Sequence, residues 1–473
     1  MRLNPAATAF ALVLTAALAA PQLVARPAKP KAHPEAEAQG LDLAKQVLAL
    51  RSVQGPGNKT GEALGVVGTA LQTAGWKPAE VEITPFGDTA YMIATWPGSD
   101  PSLKPLVISG HMDVVEAKPE DWQRDPFTPV VENGYLFARG ASDMKFDAAL
   151  VTASLIELRK SGYKPKRTIV LQFSGDEETT MASSRVIAQK LKHAELVLNI
   201  DGGGGTLDEK TGSALYWTWE GAEKTYDDYQ LEVTNPGGHS SAPRPDNAIV
   251  QLATAVAKVG AYYFKPEQNS ITKAYFERAA QFESDPKTAA AMRTFAANPG
   301  DADAAAVLRA NPAYVGKVGT TCVATMLGGG HAQNALPQRA TANINCRVFP
   351  GHTREEIRAE LAQVIGMPVV KVTATSGEDS ISSPASPMRP DFVAAAEKAV
   401  RIGYPGVPVI PSQASGASDS MWYRALGVPA YNASPLFMKD SDSFAHGLNE
   451  RVPLSNIAPA INYYLSLIAD LSK

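Results

Sequence analysis

Three consecutive acidic residues stand where a predicted strand passes into a predicted helix. Residues 167–173 form an apolar run rich in β-branched side chains, which is typical of a buried parallel strand. Asp176–Glu178 follow, and residues 181–192 have helical apolar spacing with Thr179 or Thr180 available as the N-cap. In an open α/β sheet, ligands bind at this end of the strands. Because adjacent carboxylates repel one another unless protons or cations compensate, the segment is either a solvated acidic turn or part of a metal site.

Further imidazoles and carboxylates follow predicted strands or precede predicted helices, namely His111, Asp113, Asp143, Asp201 and His446. Side chains two residues apart in extended chain point to the same side, so His111 can ligate a metal while Asp113 orients it. Capping of a helix would by itself explain an aspartate at position 143. The absence of a His-Glu-x-x-His motif excludes the helix-borne single-zinc protease arrangement. Together these residues indicate a metal site.

The order of the predicted elements indicates an α/β protein with a mixed sheet between helices, interrupted by an α+β lid. Patterns between residues 229 and 374 follow the βαββαβ order of a ferredoxin-like fold, and an Ala-rich helical insertion at 262–318 interrupts it. The predicted divisions are a signal peptide (1–19), a disordered spacer (20–40), a first catalytic segment (41–225), the lid (226–384) and a second catalytic segment (385–473).

The net charge and the N-terminal segment restrict the partners and the cellular location that we expect for the protein. The chain has 473 residues and a net charge of -4, so no basic face for nucleic acid is expected. A positive start and a short apolar stretch predict a signal peptide cleaved after Ala19; cleavage after Ala25 or a retained anchor are the alternatives. The mature protein is then expected to be periplasmic or secreted, without stable membrane association.

The two cysteines, Cys322 and Cys346, stand symmetrically about residue 334 and would face one another across a hairpin. A cross-strand disulfide in an oxidising compartment and a pair of small buried thiols are both compatible with this spacing.

The motifs that could carry chemistry occur in this order: His111-x-Asp113, Gly140-x-x-Asp143-Met144-Lys145, Glu177-Glu178, Asp201, Gly238-His239-Ser240 and His446-x-x-Asn449-Glu450. This set resembles the dizinc metallopeptidase family M-twenty, which includes carboxypeptidase G, acetylornithine deacetylase, succinyl-diaminopimelate desuccinylase and aminoacylase. The resemblance covers residues 41–473. The insertion and residues 320–326 look most like the Gly-X carboxypeptidase branch of that family. Phe146 departs from the pattern, since many members have Gly there, and is expected to narrow the space beneath the metal site.

The resemblance implies a pair of zinc ions bridged by Asp143. His111 and Asp201 would hold one ion, and Glu178 and His446 would hold the other; cobalt or manganese suit the same ligands. A non-proline cis peptide bond would follow Asp143.

The resemblance also assigns residues that act beside the metals. Asp113 would orient His111, and Glu177 would be the general base. His239 would stabilise the oxyanion, in many members from the partner subunit of a dimer. The substrate's free carboxylate would be received by Asn334, Arg347 and Gly416.

The predicted function is therefore hydrolysis of an amide or peptide bond beside a free carboxylate, by a carboxypeptidase or N-acyl-amino-acid hydrolase. The predicted partners are a small peptide or N-acyl amino acid and a second copy of the chain bound through the lid. The alternatives are an aminopeptidase or dipeptidase of the same clan, a synthase running the reaction in reverse, and a non-catalytic binding protein. A binding protein would have no use for Glu177 as a base.

Overall fold

A computed structural model describes residues 31–377, 380–442 and 444–473 of the protein. The predicted signal peptide and the start of the predicted spacer lie outside these ranges. The helices are α1 (Pro34–Leu48), α2 (Thr60–Thr73), α3 (Lys145–Lys160), α4 (Ala182–Lys190), α5 (Ala248–Ala261), α6 (Ser270–Ala279), α7 (Pro286–Ala297), α8 (Ala302–Arg309), α9 (Pro312–Val315), α10 (Arg354–Ile365), α11 (Pro390–Gly403), α12 (Ser420–Ala425) and α13 (Ile457–Leu471). Among the described residues, no helix combines the length and apolar character needed to cross a bilayer.

The strands are β1 (Val81–Phe86), β2 (Thr89–Trp96), β3 (Leu106–His111), β4 (Val130–Glu132), β5 (Tyr135–Phe137), β6 (Ile169–Ser174), β7 (Leu196–Asn199), β8 (Gly204–Leu207), β9 (Ala214–Glu223), β10 (Thr225–Thr234), β11 (Gly238–His239), β12 (Thr321–Gly329), β13 (Ala335–Leu336), β14 (Arg339–Val348), β15 (Lys371–Ala374), β16 (Val409–Ala414), β17 (Ala430–Asn432), β18 (Phe437–Met438) and β19 (Arg451–Pro453).

A mixed sheet of ten strands organises the larger unit, in the order β1-β2-β6-β3-β7-β17-β9-β8-β18 with β16 beside β9. Strand β3 lies parallel to both β6 and β7, and all three strands are buried along their whole length. Both faces are covered, because Leu106 and Ile108 belong to the core on one side and Val107 to the core on the other. The carboxyl ends of these three strands therefore lie side by side, which confirms the α/β architecture.

A second, four-stranded antiparallel sheet has the order β12-β14-β10-β15. This is the strand order of a ferredoxin-like βαββαβ unit, and α5 and α10 contribute to its core. Residues of β10 alternate between buried and half-buried, so one face of the sheet packs on helices and the other is polar. Cys322 and Cys346 lie directly opposite one another in β12 and β14 and form a disulfide, so they are not a pair of free buried thiols.

The insertion folds as helices α6 to α9 around a small core that includes Phe276, Met292 and Phe295. Helix α6 packs against β16 of the larger sheet, and Ile271 joins the core of that sheet. The side-chain amide of Asn269 donates to Gln413 Oε1 at 2.8 Å. The insertion is thus attached to the larger unit next to the loop that follows β16.

The predicted spacer is shorter than expected, because α1 begins at Pro34 and makes residues 34–40 helical. The composition of this segment suggested disorder, but Ala36, Gly40 and Leu43 form a buried stripe that packs on α3. A Cβ at position 40 would lie 2.7 Å from Leu150 Cδ2, so glycine allows the two helices to approach closely.

The predicted N-cap of α4 was also wrong. Met181 occupies the cap position with φ 50°, and neither Thr179 nor Thr180 caps the helix. The carboxylate of Asp176 does so instead, accepting from the amides of Ala182 at 2.9 Å and Ser183 at 3.0 Å. Asp176 therefore stabilises the start of α4. Glu177 and Glu178 are the residues of the acidic turn that are left for metal binding or catalysis.

Candidate metal centre

Asp143 lies between two imidazoles at the amino end of α3. Its Oδ1 is 3.0 Å from His111 Nε2, and its Oδ2 is 3.0 Å from His446 Nε2. His111 is the last residue of β3, whereas His446 follows β18 and has a positive φ of 61°. Each oxygen of the carboxylate thus faces a different imidazole, which is the arrangement that a bridging ligand requires.

The other predicted ligands surround these three residues. Asp201 Oδ2 lies 4.0 Å from His111 Nε2, and Glu178 Oε1 lies 2.9 Å from His446 Nε2. Donor atoms of His111, Asp143 and Glu178 lie within 4.8 Å of one another, and those of His111, Glu177 and Asp201 do the same. The structure therefore brings all five predicted metal ligands together.

The charges at this site are those expected of a cation-binding site. Burial, followed by the neighbouring carboxylates, raises the pKa values of Glu177 and Asp201 well above their ordinary range. Hydrogen bonds with Asp143 and Glu178 raise the pKa of His446 to about 10. Burial lowers the pKa of His111, but hydrogen bonds with carboxylates outweigh it and leave the pKa well above normal. The carboxylates at this site thus repel one another, and divalent cations would compensate their charge.

The donor set fits metal ions such as zinc, for which imidazole nitrogen and carboxylate oxygen are common ligands. Because each oxygen of the Asp143 carboxylate faces a different imidazole, the arrangement suits two metal ions better than one. The peptide bond between Asp143 and Met144 is cis, as the resemblance implied.

Asp113 orients parts of the candidate metal site through hydrogen bonds. Its two carboxylate oxygens accept from the amides of Glu177 at 3.1 Å and Glu178 at 3.0 Å. Nδ1 of His111 lies 3.0 Å from the main-chain oxygen of Asp113 and 3.5 Å from its carboxylate. Asp113 therefore holds the imidazole of His111 and the backbone of Glu177 and Glu178 in fixed positions.

Comparison with known proteins agrees with this geometry. The family described as "Peptidase family M20/M25/M40" matches residues 107–470. The chain belongs to this family. It is a hydrolase of the family, and its His, Asp and Glu clusters are compatible with a metal site.

Two relatives and one solved structure are similar to this protein over most of its chain. A probable carboxypeptidase S-like 2 of Dictyostelium discoideum is 27% identical over 394 residues, covering 81% of this chain and 74% of the relative. An N-fatty-acyl-amino acid synthase/hydrolase PM20D1 of Xenopus tropicalis is 28% identical over 392 residues, covering 78% and 73%. The crystal structure of the M20 family metallo-carboxypeptidase Sso-CP2 of Sulfolobus solfataricus aligns with a TM-score of 0.67 at 20% identity, covering 91% and 98%. The fold is thus that of M20 peptidases.

Glu450 is a site residue whose role the sequence analysis missed in this M20/M25/M40 hydrolase. Its side chain is fully buried, and Oε2 accepts from Arg139 at 2.6 Å and from the amide of Gly140 at 2.9 Å. Oε1 accepts from the amides of Ser142 at 2.7 Å and Asp143 at 3.1 Å. Glu450 therefore holds the backbone that presents the bridging carboxylate. Its place four residues after His446 was the available signal.

The sequence analysis also missed the role of Asp419. An aspartate that precedes a helix is usually explained as its N-cap, so the residue did not stand out. It is buried, and its Oδ2 accepts from the hydroxyl of Ser174 at 2.6 Å. Burial raises its pKa to about 6. Its charge helps to raise the pKa values of Glu177 and Asp201 in the M20 site.

The predicted substrate-binding residues divide into two groups. Arg347 lines a cavity that also contains Glu177 and Glu178, and Ala417, the neighbour of Gly416, lines the same cavity. His239 lies in β11 and Asn334 directly precedes β13, the two strands of a short ribbon, and both residues are exposed. Their described contacts are local ones.

Within this ribbon, the amide of Ser240 donates to the main-chain oxygen of Asn334 at 3.0 Å, and the ring of His239 is hydrogen-bonded to Ser241. The structure thus brings Arg347 to the acidic residues of the M20 site, whereas the contacts of His239 and Asn334 connect them only with neighbours in the ribbon.

Proposed function

We propose that the protein is a zinc-dependent hydrolase of amide or peptide bonds that lie beside a free carboxylate. The observation that carries this proposal is the shared cavity of Arg347 with Glu177 and Glu178. A guanidinium group binds a carboxylate through two parallel hydrogen bonds. A substrate whose carboxylate binds Arg347 therefore extends its amide bond toward the acidic residues.

The reaction requires a base beside the ligands. Glu177 would take a proton from the attacking water and deliver it to the leaving amine. When bound, a pair of divalent cations would polarise the scissile carbonyl and lower the pKa of water. Asp143, His111, Asp201, Glu178 and His446 would hold these cations.

The lid would complete the site. His239 would stabilise the oxyanion, while Asn334 and the backbone at Gly416 would bind the same end of the substrate as Arg347. The exposed positions of His239 and Asn334 fit residues that reach a site across a lid closure or a subunit interface.

We also propose a homodimer formed through the lid. Strand β12 is at the edge of the four-stranded sheet, and Met326 and Leu327 on it are 71% and 70% exposed. Exposed apolar side chains on an edge strand favour pairing with another chain. Light scattering on the purified protein should give twice the monomer mass. Met326→Lys should return it to a monomer, and a monomeric wild-type protein would reject the proposal.

Export to the periplasm or outside the cell is a further proposal. It is supported by the pattern of residues 1–19 and by the disulfide between Cys322 and Cys346, since disulfides persist in oxidising compartments. Mass spectrometry of the protein from a fractionated native host should find a mature N-terminus after Ala19. An intact N-terminus in the cytosolic fraction would contradict this.

Substrate pairs that differ only at the carboxylate test the main proposal. The zinc-loaded protein should hydrolyse an N-acetylated dipeptide and an N-acetylated amino acid, but not their C-terminal amides. Arg347→Lys retains the charge and loses the planar fork, so it should raise KM at least about tenfold on the free acids. Arg358→Lys on α10, whose guanidinium pairs with Glu355, is the matched control. Preference for amidated substrates with a free amine would favour an aminopeptidase instead.

A further inference from the structure

The cavity between Arg347 and the acidic turn has a volume of about 250 Å³. Glu177, Glu178 and Arg347 are its charged lining residues, and each already has a role in the proposed reaction. The remaining lining residues are uncharged: Thr179, Met181, Tyr226, Ser380, Ala417 and Met421. Among the described lining residues, those without a role in the proposed reaction carry no charge.

We propose that this cavity is the subsite for the side chain of the leaving amino acid and that it selects apolar or aromatic side chains. The proposal rests on the proposed function. The carboxylate, the amide nitrogen and the side chain of the leaving amino acid all branch from one Cα atom. With the carboxylate on Arg347 and the amide facing Glu177, the side chain of the leaving amino acid is placed in the cavity that these two residues line.

The floor of the cavity is apolar and continuous with the protein core. Met421 is 2% exposed and belongs to the core that covers one face of the large sheet. Met181 and Ala417 are partly buried and pack against the same core. Methionine side chains adapt to differently shaped apolar partners, so leucine-like and phenylalanine-like side chains both fit this floor.

Tyr226 forms a wall of the cavity and holds Arg347 in place. The guanidinium carbon of Arg347 lies 4.8 Å from the centre of the Tyr226 ring. The Tyr226 hydroxyl donates to Asp228 at 2.5 Å, and Asp228 in turn accepts from Asn343 at 2.8 Å and Asn345 at 3.0 Å. Tyr226 is therefore a positioning residue for the carboxylate-binding arginine as well as an aromatic surface for the substrate's side chain.

A panel of N-acetyl amino acids tests the selectivity. The zinc-loaded full chain should have kcat/KM values for N-acetyl-leucine and N-acetyl-phenylalanine at least about tenfold above those for N-acetyl-glutamate and Nα-acetyl-lysine. Equal or higher values for the charged substrates would overturn the subsite while leaving the proposed function intact. Hydrolysis of the C-terminal amides without hydrolysis of the free acids would instead reject the proposed function.

Two variants test the individual surfaces. Ala417→Leu fills part of the cavity, so it should reduce kcat/KM for N-acetyl-phenylalanine about tenfold more than for N-acetyl-alanine. Tyr226→Ala should raise KM on the free acids more than it lowers kcat, and Tyr226→Phe should have a smaller effect because the ring remains. Tyr262→Phe is the matched control, since its hydroxyl also donates to a carboxylate, that of Glu360. Equal losses on both substrates in Ala417→Leu, with unchanged thermal unfolding, would contradict the proposal.

Discussion

His446 and Asp143 are in contact, with 3.0 Å between Nε2 and Oδ2, although the whole four-stranded sheet lies between them in the sequence. The contact joins the two segments of the chain that form the large sheet unit. It also gives the carboxylate of Asp143 a second imidazole opposite His111. A site with this arrangement exists only when both segments have folded together, so metal binding and the assembly of the large unit should be linked.

Glu177→Gln should abolish most of the turnover while leaving metal binding intact. General-base catalysis contributes about 10²- to 10⁴-fold, so a loss of kcat in this range is expected. Activity assays combined with elemental analysis measure both quantities. Glu195→Gln, a half-buried residue paired with Arg389, is the control and should behave like the wild type. Near-normal turnover of Glu177→Gln would remove this residue from the mechanism.

Glu450→Ala should destabilise the protein and weaken metal binding together. The substitution leaves the buried guanidinium of Arg139 without its carboxylate, and breaking such a pair costs about 3–5 kcal/mol. Urea unfolding of the metal-free protein measures the free energy of unfolding. Glu132→Ala, which removes the more exposed partner of Arg124, should cost about 1 kcal/mol or less. Similar losses in the two variants would show that Glu450 is no more important than a surface ion pair.

Removing the disulfide should lower stability without removing the metal site. The loop between Cys322 and Cys346 spans 24 residues, and closing a loop of this length contributes about 3 kcal/mol. The double variant Cys322→Ala/Cys346→Ala should therefore unfold at lower urea concentration, and wild-type protein in reducing buffer should match it. Equal stability of oxidised and reduced wild-type protein would contradict the prediction.

Asp147 should make the metal-free protein less stable as the pH rises. Burial raises the pKa of this carboxyl to about 7, above its value of 3.8 in an unfolded chain. Between these values the folded state binds more protons than the unfolded state, so the contribution is complete below pH 3.8 and is lost as the pH rises through 7. The shift corresponds to at most about 4 kcal/mol.

Asp147→Asn should remove this component of the pH dependence. Urea unfolding at pH 5 and pH 8 in the presence of a chelator should give a smaller difference for the variant than for the wild type. Asp391→Asn is the control, because hydrogen bonds with Arg389 lower the pKa of that carboxyl and the opposite sign applies. An unchanged difference between the two pH values in Asp147→Asn would contradict the assignment.

Sequence patterns predicted the regions of the fold that depend on continuous apolar runs or regular periodicity. Strand β6 begins and ends within about two residues of its predicted bounds, because burial on both faces leaves a clear signal. The helix at residues 34–40 was missed because its few apolar residues are recognisable only against α3. Composition alone suggested a spacer there.

The residues that cluster as candidate metal ligands could be predicted, whereas those that support them could not. His111, Asp143 and His446 have side chains suited to ligation and occur in recognisable motifs. Glu450 and Asp176 act through backbone amides, and nothing in the residue type tells which amides will be near. The disulfide likewise depended on the register of β12 against β14, which a one-residue shift would have changed.

The number of metal ions bound by wild-type and Asp143→Ala protein tests the central claim most directly. After dialysis against zinc and removal of excess metal, elemental analysis should find two ions per wild-type chain. His446→Ala should retain one ion, and Asp143→Ala should lose both because its carboxylate would bridge them. Two ions in Asp143→Ala, or full activity of wild-type protein stripped of metal, would contradict the account.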